Sequence, residues 1–472
     1  MDAPHIVIVG GGMAGLGLAY ALVQRQADVA QPWRITVVDA QPRWGGVVRT
    51  VMEDGFVVEG GPDSVLAFKP AAVRLWRALG LDEAIMGTDP RYKGAFVFAR
   101  GRLHRLPEGL TLMVPSQLGP LFRTSLLSWK GKLRAALDLV PRRVAPPDGD
   151  ISVADFIAGH LGHEVMAYIV EPLFAGIYAG DARRLSVAAT YPQLLELERR
   201  YGSLLWGLFA ARRARARRDG ANPQRTRSAF VTLRRGLTQG VEALVAALKR
   251  ANVRLVTSAP VTRVHPTAQG WRVETERGTM RANAVVLALP AWKAARLVEG
   301  FDPALADALY TIPYASTATV SLAYRATDIA HPMPGYGFVV PRVEGRPLVA
   351  GTWTTRKFPH RSPEGTVLIR LFLGRAGNDR IVHADEAEIA ALARQELADI
   401  MGVRAEPLRT WVFRWPRVLP QYEVGHAERV RAIQQRARGH PGLYLLSNAW
   451  DGVGIPDRLA AAERLATELT RS

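Results

Sequence analysis

Three glycines near one end of the chain, Gly10, Gly12 and Gly15, stand in G-x-G-x-x-G spacing within HIVIVGGGMAGLGLAYALVQRQ. Glycines at these intervals let a strand turn tightly into a helix and let backbone amides approach a pyrophosphate. The helix then points its free N–H groups and the positive end of its dipole at the phosphates. Asp39 ends the following strand, WRITVVDA, where a carboxylate can accept from a ribose hydroxyl. The chemistry implied is dinucleotide binding, with nicotinamide and flavin cofactors both open at this point. A second glycine-rich turn, NAWDGVGIPDRLAAAERLA, runs into another helix with Pro456 near its start, where a missing N–H costs nothing.

Other chemistries are excluded by residue type. The chain has no cysteine, so disulfides, thiolate metal sites, cysteine nucleophiles and a cysteinyl cofactor tether are ruled out. No Ser-His-Asp arrangement and no metal-ligand spacing is present, so neither a catalytic side chain nor a metal is assigned. Ten histidines are scattered, and His331, His360 and His383 read as loop or surface residues. The formal charge of +18 favours anionic partners: nucleic acid, an acidic membrane surface or a carboxylate-bearing substrate. Nucleic acid is set aside because no finger spacing or aromatic RNP strand occurs. The run ARRARARRDG, 211–220, reads as a solvated face or as a dock for anionic lipid at about 1 kcal/mol per charge.

These residues need elements to position them. At 472 residues, 48% of them hydrophobic, the chain has length and composition for two or three folded domains. No basic leader precedes the strand starting at His5, so no signal peptide is expected, and the apolar stretch 6–23 reads as strand, turn and helix rather than a membrane span. From about Pro115 to Arg218 the pattern is mostly helical. Residues 236–290 return to a helix followed by strands, and 313–375 carry strand signals with turns at Pro341 and Gly345. DEAEIAALARQELADIMG is an amphipathic helix with an acidic first turn, and the last helix starts near Pro456. The fold class is α/β: a Rossmann-type nucleotide-binding domain interrupted by two insertions.

After Asp39 come AQPRWGGVVRT and then GFVVEGGPDSVL. This R-x-G-G with a downstream E-x-G-P resembles the flavin amine oxidase superfamily. Within it, EGGPDSVL, EPLFAGIYAGDARRLSVAATYPQLLELERRYGSLLWGL, RWPRVLPQYEVGH and NAWDGVGIPD are similar to the protoporphyrinogen oxidase family, from Ile6 to beyond Ala466. The most specific stretch is GIYAGD followed by LS and P-x-L-x-x-L-E. The resemblance implies non-covalent FAD held by Gly10, Gly11, Gly12, Met13, Ala14, Gly15, Asp39, Ala40, Arg43, Gly45, Gly46, Gly61, Pro62, Asp63, Ser64, Val261, Trp415, Val453, Gly454 and Ile455. It further implies an FAD domain over 1–90, 225–295 and 425–472, and a mixed α+β substrate domain over 91–114 and 300–420. A helical, membrane-facing segment over 115–220 completes the arrangement.

The implied reaction removes hydride from carbon beside nitrogen. Protoporphyrinogen IX becomes protoporphyrin IX in haem synthesis, with dioxygen as acceptor and the hard chemistry carried by the flavin. Coproporphyrinogen III, or another amine or pyrroline recruited to the site, is the alternative substrate. A flat macrocycle needs an apolar slot with few polar anchors, and the resemblance lines it with Tyr336, Gly337, Val339, Thr352 and Phe372. One position departs: Ala95 stands where relatives carry a basic anchor for a substrate propionate. Lys93 is expected to compensate, with Arg91 and Arg100 as the other nearby cations. A cytoplasmic protein, peripheral on the inner membrane face and compatible with a homodimer, is the expected setting.

Overall fold

The computed structural model describes residues 3–26, 32–146, 150–219 and 228–471. Of the basic run, the backbone is described to Asp219, while the side chains of 215–219 and all of Gly220 lie outside the described residues. The chain divides into two compact units. One is built from Met1–Thr88, Ser228–Pro313 and Glu428–Ser472, the other from Asp89–Arg227 and Tyr314–Ala427.

The first unit is organised by a five-stranded sheet in the spatial order Arg254–Val256, Arg34–Val38, His5–Val9, Ala284–Leu287, Leu443–Leu445. Every pairing is parallel. Both faces are covered, so the strands are continuous apolar runs rather than alternating ones; Ile6, Val7, Ile8 and Val37 have no exposed surface. Taken in chain order, the strands run outward from His5–Val9 first to one side and then to the other. The order therefore reverses between His5–Val9 and Ala284–Leu287, the switch point at which such sheets open a crevice for a nucleotide. Helices Met13–Arg25, Thr238–Arg250 and Ile455–Leu469 share the buried cluster that includes Ile6, Leu18, Leu244 and Leu459.

The second unit carries a seven-stranded mixed sheet, ordered Arg409–Pro420, Tyr314–Arg325, Thr366–Leu373, Leu348–Trp353, Gly337–Val339, Phe96–Ala99, Arg102–Arg105. Successive side chains alternate across it. Phe98, Phe338, Leu371, Ile369, Val320 and Leu322 pack in one buried cluster with Ile389, Ala393 and Leu397 of the helix Glu386–Met401. That helix has the acidic start its sequence predicts: the Asp385 side chain caps the Glu388 amide at 2.8 Å, and Gly402 ends it with φ +73°.

The helical part of this unit is knotted by a buried polar node. His160, with no exposed surface, places Nδ1 2.5 Å from Asp138 Oδ1 and Nε2 3.1 Å from Glu198 Oε1. Glu198 Oε1 also accepts from the Ala145 amide at 3.0 Å and from that of Val144, while Asp138 Oδ2 accepts from Leu205 N at 2.8 Å and Ser203 Oγ at 3.1 Å. Glu198 closes the P-x-L-x-x-L-E stretch, which gives that motif a structural role. It ties the helices Val153–Leu161, Pro192–Tyr201 and Leu204–Asp219 to the chain around Asp138.

Candidate functional site

The phosphate cradle is built at the carboxyl end of His5–Val9. Gly10 has φ +114°, and a Cβ there would lie 2.4 Å from Ala288 O; a Cβ on Gly15 would lie 1.9 Å from Gly10 O. Backbone packing fixes both positions. Gly12 differs: it starts the helix Met13–Arg25 in an extended conformation with no side-chain cap, and a Cβ there would meet nothing within 4 Å. The backbone at the start of the helix can therefore be approached closely at Gly12, which is bridged to Gly45 of the next loop, while Met13 and Ala14 are buried.

Asp39 accepts from Gly11 N at 2.6 Å through one oxygen and from Gln41 N at 2.7 Å through the other. It is half-buried, and Ala40 beside it is exposed. The R-x-G-G loop folds over the cradle: Gly45 N donates to Gly11 O at 2.8 Å, and Gly46 sits close enough that its Cβ would be 3.3 Å from Gly12 Cα. Arg43 spends its guanidinium on this loop, donating to Val48 O at 3.0 Å and Gly46 O at 2.7 Å, and burial lowers its pKa. Ser258 N and Ala259 N donate to Gln41 O and Asp39 O, each at 3.0 Å, which brings the start of the strand Val261–Thr267 to the same edge; Val261 is half-buried there.

Gly61, Pro62, Asp63 and Ser64 form a half-buried loop after the strand Phe56–Glu59. A Cβ on Gly61 would lie 1.9 Å from Val47 O, and Ser64 Oγ donates to Asp63 Oδ1 at 2.6 Å. Glu59, 2% exposed, anchors this loop by accepting from Thr50 Oγ1 at 2.8 Å and Leu237 N at 2.7 Å.

The second glycine turn lies in the same unit. Val453, Gly454 and Ile455 are half-buried, and the helix Ile455–Leu469 starts at Gly454 without a side-chain cap, with Pro456 in its first turn. Gly452 has φ +93°, and a Cβ there would press on Asp457 at 2.8 Å; Asp457 is in turn paired with Lys69 Nζ at 2.7 Å. Asp451 accepts from Ser447 N at 3.1 Å, and burial pushes its carboxyl up. This helix packs on the first one so closely that a Cβ on Gly17 would lie 2.6 Å from Leu459 Cδ2.

In the second unit the register gathers most of the expected slot residues on one face of the sheet, opposite the face under Glu386–Met401. Gly337 pairs with Thr352, Val339 with Ala350, and Ala350 with Phe372. Val339 also pairs with Val97, and Ala95 lies two residues before Val97 in the same alternation. Thr352, Val339, Phe372 and Ala95 are half-buried, whereas Gly337 is buried. Tyr336 stands just outside the strand, its N–H on Gly94 O at 2.9 Å, and Trp415 lies on Arg409–Pro420 opposite Thr317. The cations near Ala95 are placed elsewhere. Arg91 is held by Asp89 at 2.7 Å, and Arg100 lies over the Tyr168 ring at 4.8 Å. Lys93 is exposed, before Gly94 with φ +83°, and is not part of the strand face.

Sequence reasoning missed Arg370, which pairs in register with Thr352 and carries its guanidinium 4.6 Å over the Phe372 ring while only 3% exposed. The period-2 pattern of TVLIRLFL was the available signal, since it puts Arg370 and Phe372 on one face. The buried His160 was missed as well, because its partners come from distant segments. Among the described residues no group of three or more His, Asp or Glu could hold a metal ion.

Comparison with known proteins gives a consistent picture. The model of the family "Flavin containing amine oxidoreductase" matches residues 13–470. The coproporphyrinogen III oxidase of Bacillus subtilis (strain 168) is 34% identical over 458 residues, which cover 96% of this chain and 95% of that protein. Protoporphyrinogen oxidase 1, chloroplastic, of Arabidopsis thaliana is 30% identical, covering 98% of this chain and 87% of that protein. Among solved structures, one from Exiguobacterium sp. 255-15 superposes with a TM-score of 0.86 at 32% identity, covering all of this chain and 99% of the other.

Proposed function

The chain belongs to the flavin containing amine oxidoreductase family, and on that premise we propose that it oxidises a porphyrinogen to the corresponding porphyrin. It is an FAD-dependent oxidase. Its cradle suits that cofactor: the helix start has no side-chain cap and a Cβ at Gly12 would meet nothing within 4 Å, so a pyrophosphate can approach the backbone there. This is the observation that carries the reading. When bound, FAD takes up hydride from carbon next to nitrogen and passes the electrons to dioxygen.

The chain's own residues bind, orient and exclude water. Amides of the turn after Gly11 would hold the phosphates, and Asp39, already oriented by the Gly11 and Gln41 amides, would take the ribose. The turn at Val453–Ile455 offers free N–H groups to the redox end of the cofactor, and the positive end of the following helix favours negative charge building there. On the second unit Val339, Ala350 and Phe372 supply an apolar surface for a flat macrocycle, with the Thr352 hydroxyl as a polar anchor. No side chain is needed as a strong acid or base.

Coproporphyrinogen III is the preferred substrate of this reading, supported by the 34% identity to the Bacillus subtilis coproporphyrinogen III oxidase against 30% to the Arabidopsis thaliana protoporphyrinogen oxidase. Protoporphyrinogen IX is the second substrate of the same reading. Purified protein is expected to be yellow and, given each porphyrinogen under air, to release fluorescent porphyrin and hydrogen peroxide, faster with coproporphyrinogen III. Colourless protein that takes up no added FAD would overturn the enzyme; flavin with neither porphyrin formed would overturn the substrate class and favour a recruited amine oxidase.

Peripheral contact with an anionic membrane belongs to the same proposal. The helix Trp129–Ala136 exposes Trp129 (69%) and Leu133 (61%), and the chain beyond it exposes Leu137 and Val140. Trp206 and Phe209 are exposed nearby, and Trp206 Nε1 donates to Leu139 O at 3.2 Å. Lys130, Arg143, Arg212 and Arg213 are exposed on the same elements, so apolar insertion and attraction to acidic headgroups act together. The absence of cysteine agrees with a cytoplasmic setting.

A further inference from the structure

The stretch EPLFAGIYAGD contains a buried carboxylate that neither the cofactor nor the slot uses. Glu171 is the first residue of the helix Glu171–Tyr178, which follows a π-helical turn over Met166–Val170, and it is 6% exposed. Its Oε2 accepts from the Arg342 backbone N–H at 3.0 Å. Its Oε1 lies 3.7 Å from Arg375 Nη1 and 3.8 Å from Arg342 Nε, ion-pair distances without a hydrogen bond. The side chain of Arg375 is 2% exposed.

The two guanidinium groups reach in two directions. Arg375 Nη2 donates to Leu348 O at 2.8 Å and Val340 O at 3.2 Å, at the ends of the strands that carry Ala350 and Val339. Arg375 itself follows Phe372 by three residues. Arg342 Nη2 donates to Gly180 O at 3.4 Å and Ala376 O at 3.2 Å, and Ala376 N donates to Ala179 O at 2.7 Å. Ala179 is left-handed, φ +46°, a conformation an alanine holds only when its surroundings impose it. Gln421 Nε2 adds a bond to Tyr178 O at 2.8 Å.

We propose that Glu171, Arg342 and Arg375 are positioning residues for substrate, clamping the Tyr178–Asp181 loop to the strand ends that carry Val339 and Phe372. This rests on the porphyrinogen reading and deepens it by naming what shapes the slot wall. The carboxylate is held to both guanidinium groups mainly by charge in a low-dielectric site. An isosteric change that removes only the charge therefore tests the clamp without opening a cavity. Burial pushes the Glu171 carboxyl up against the opposing pull of Arg375 and Arg342, while Asp181, itself paired with Arg183 at 2.6 Å, repels it. Protonation at falling pH releases the clamp, and it begins above the ordinary carboxylate range.

The test compares Glu171→Gln with wild type, and Arg342→Gln serves as a milder variant because its side chain is 25% exposed. Steady-state turnover of both porphyrinogens, flavin content, thermal melting and amide hydrogen exchange are read on each. KM is expected to rise about tenfold with kcat within about twofold and flavin content unchanged, since displaced walls weaken binding more than chemistry. Exchange is expected to quicken over 178–181 and 339–342, and the wild-type rise of KM at falling pH to flatten in Glu171→Gln. Two folded variants with wild-type KM and exchange overturn the clamp. Wild-type protein that forms no porphyrin is a failure of the function reading instead, and the exchange data then decide the clamp alone.

Discussion

Replacing Gly12 and Gly15 separately by alanine separates what a glycine does for the fold from what it does for the cofactor. At Gly15 the new methyl would lie 1.9 Å from Gly10 O and 3.2 Å from Ile8 Cγ2, both in the core of the turn. The helix Met13–Arg25 must back away by about 1 Å or more, an overpacking cost of about 1–3 kcal/mol. At Gly12 the backbone has φ −76° and ψ −177°, which alanine adopts freely, and the methyl meets no protein atom within 4 Å. Gly12→Ala therefore leaves the apoprotein as stable as wild type. Its methyl instead occupies the space offered to the pyrophosphate. Losing two amide bonds to a charged phosphate, at about 1.5–3 kcal/mol each, weakens cofactor binding by roughly a hundredfold to ten-thousandfold. The assay is the ratio of flavin to protein absorbance after gel filtration, with calorimetric melting of the flavin-stripped forms. The expected outcome is flavin loss without apoprotein destabilisation for Gly12→Ala, and both effects for Gly15→Ala. Full flavin occupancy in Gly12→Ala would refute the cradle.

Three further outcomes follow from the structure. Glu198→Gln strips charge from the His160 node and unbalances a fully buried cluster, so chemical denaturation should show a loss of about 3–5 kcal/mol; a loss below about 1 kcal/mol would mean the node is dispensable. Tyr324, 1% exposed, has its hydroxyl pushed by burial from 10.0 up to about 12. The folded state keeps a proton the unfolded state sheds, so stability present below pH 10 is lost as the pH rises toward 12, at about 1.4 kcal/mol per pH unit. Denaturation at pH 8 and pH 11 should accordingly show a smaller alkaline loss in Tyr324→Phe. Leu133→Glu, on the exposed apolar face, should abolish flotation with anionic liposomes while leaving turnover of soluble substrate within about twofold; unchanged flotation would remove the membrane from the proposal.

The nucleotide half was legible in the sequence because its determinants are local. Glycine spacing, a continuous apolar strand and an acid one strand later lie within about forty residues, and each has a single physical meaning. The turn at Val453–Ile455 was legible for the same reason, and the helix begins at Ile455, one residue from the expected start. What stayed hidden depends on contacts between distant segments. His160 looks like an ordinary helical residue until Asp138 and Glu198 arrive from either side of it. Arg43 reads as a cofactor contact, yet two of its N–H groups go to carbonyls of its own loop, a choice made by backbone geometry. The partners of Arg91 and Arg100, Asp89 and the Tyr168 ring, were hidden in the same way.

The packing of the last helix on the first has a consequence for how the molecule comes to exist. The crevice begins at Gly10, but the sheet that forms it lacks its outer strand until Leu443–Leu445 emerges, and Gly17 has no Leu459 to close on until later still. During synthesis the amino-terminal segment therefore waits through several hundred residues, including all of the second unit, before its own layer is complete. A chain-elongation clock of about 5–20 residues per second makes that wait tens of seconds. Completion of that layer is thereby set late in synthesis, and a ribosome stalled before residue 440 carries an unfinished nucleotide fold.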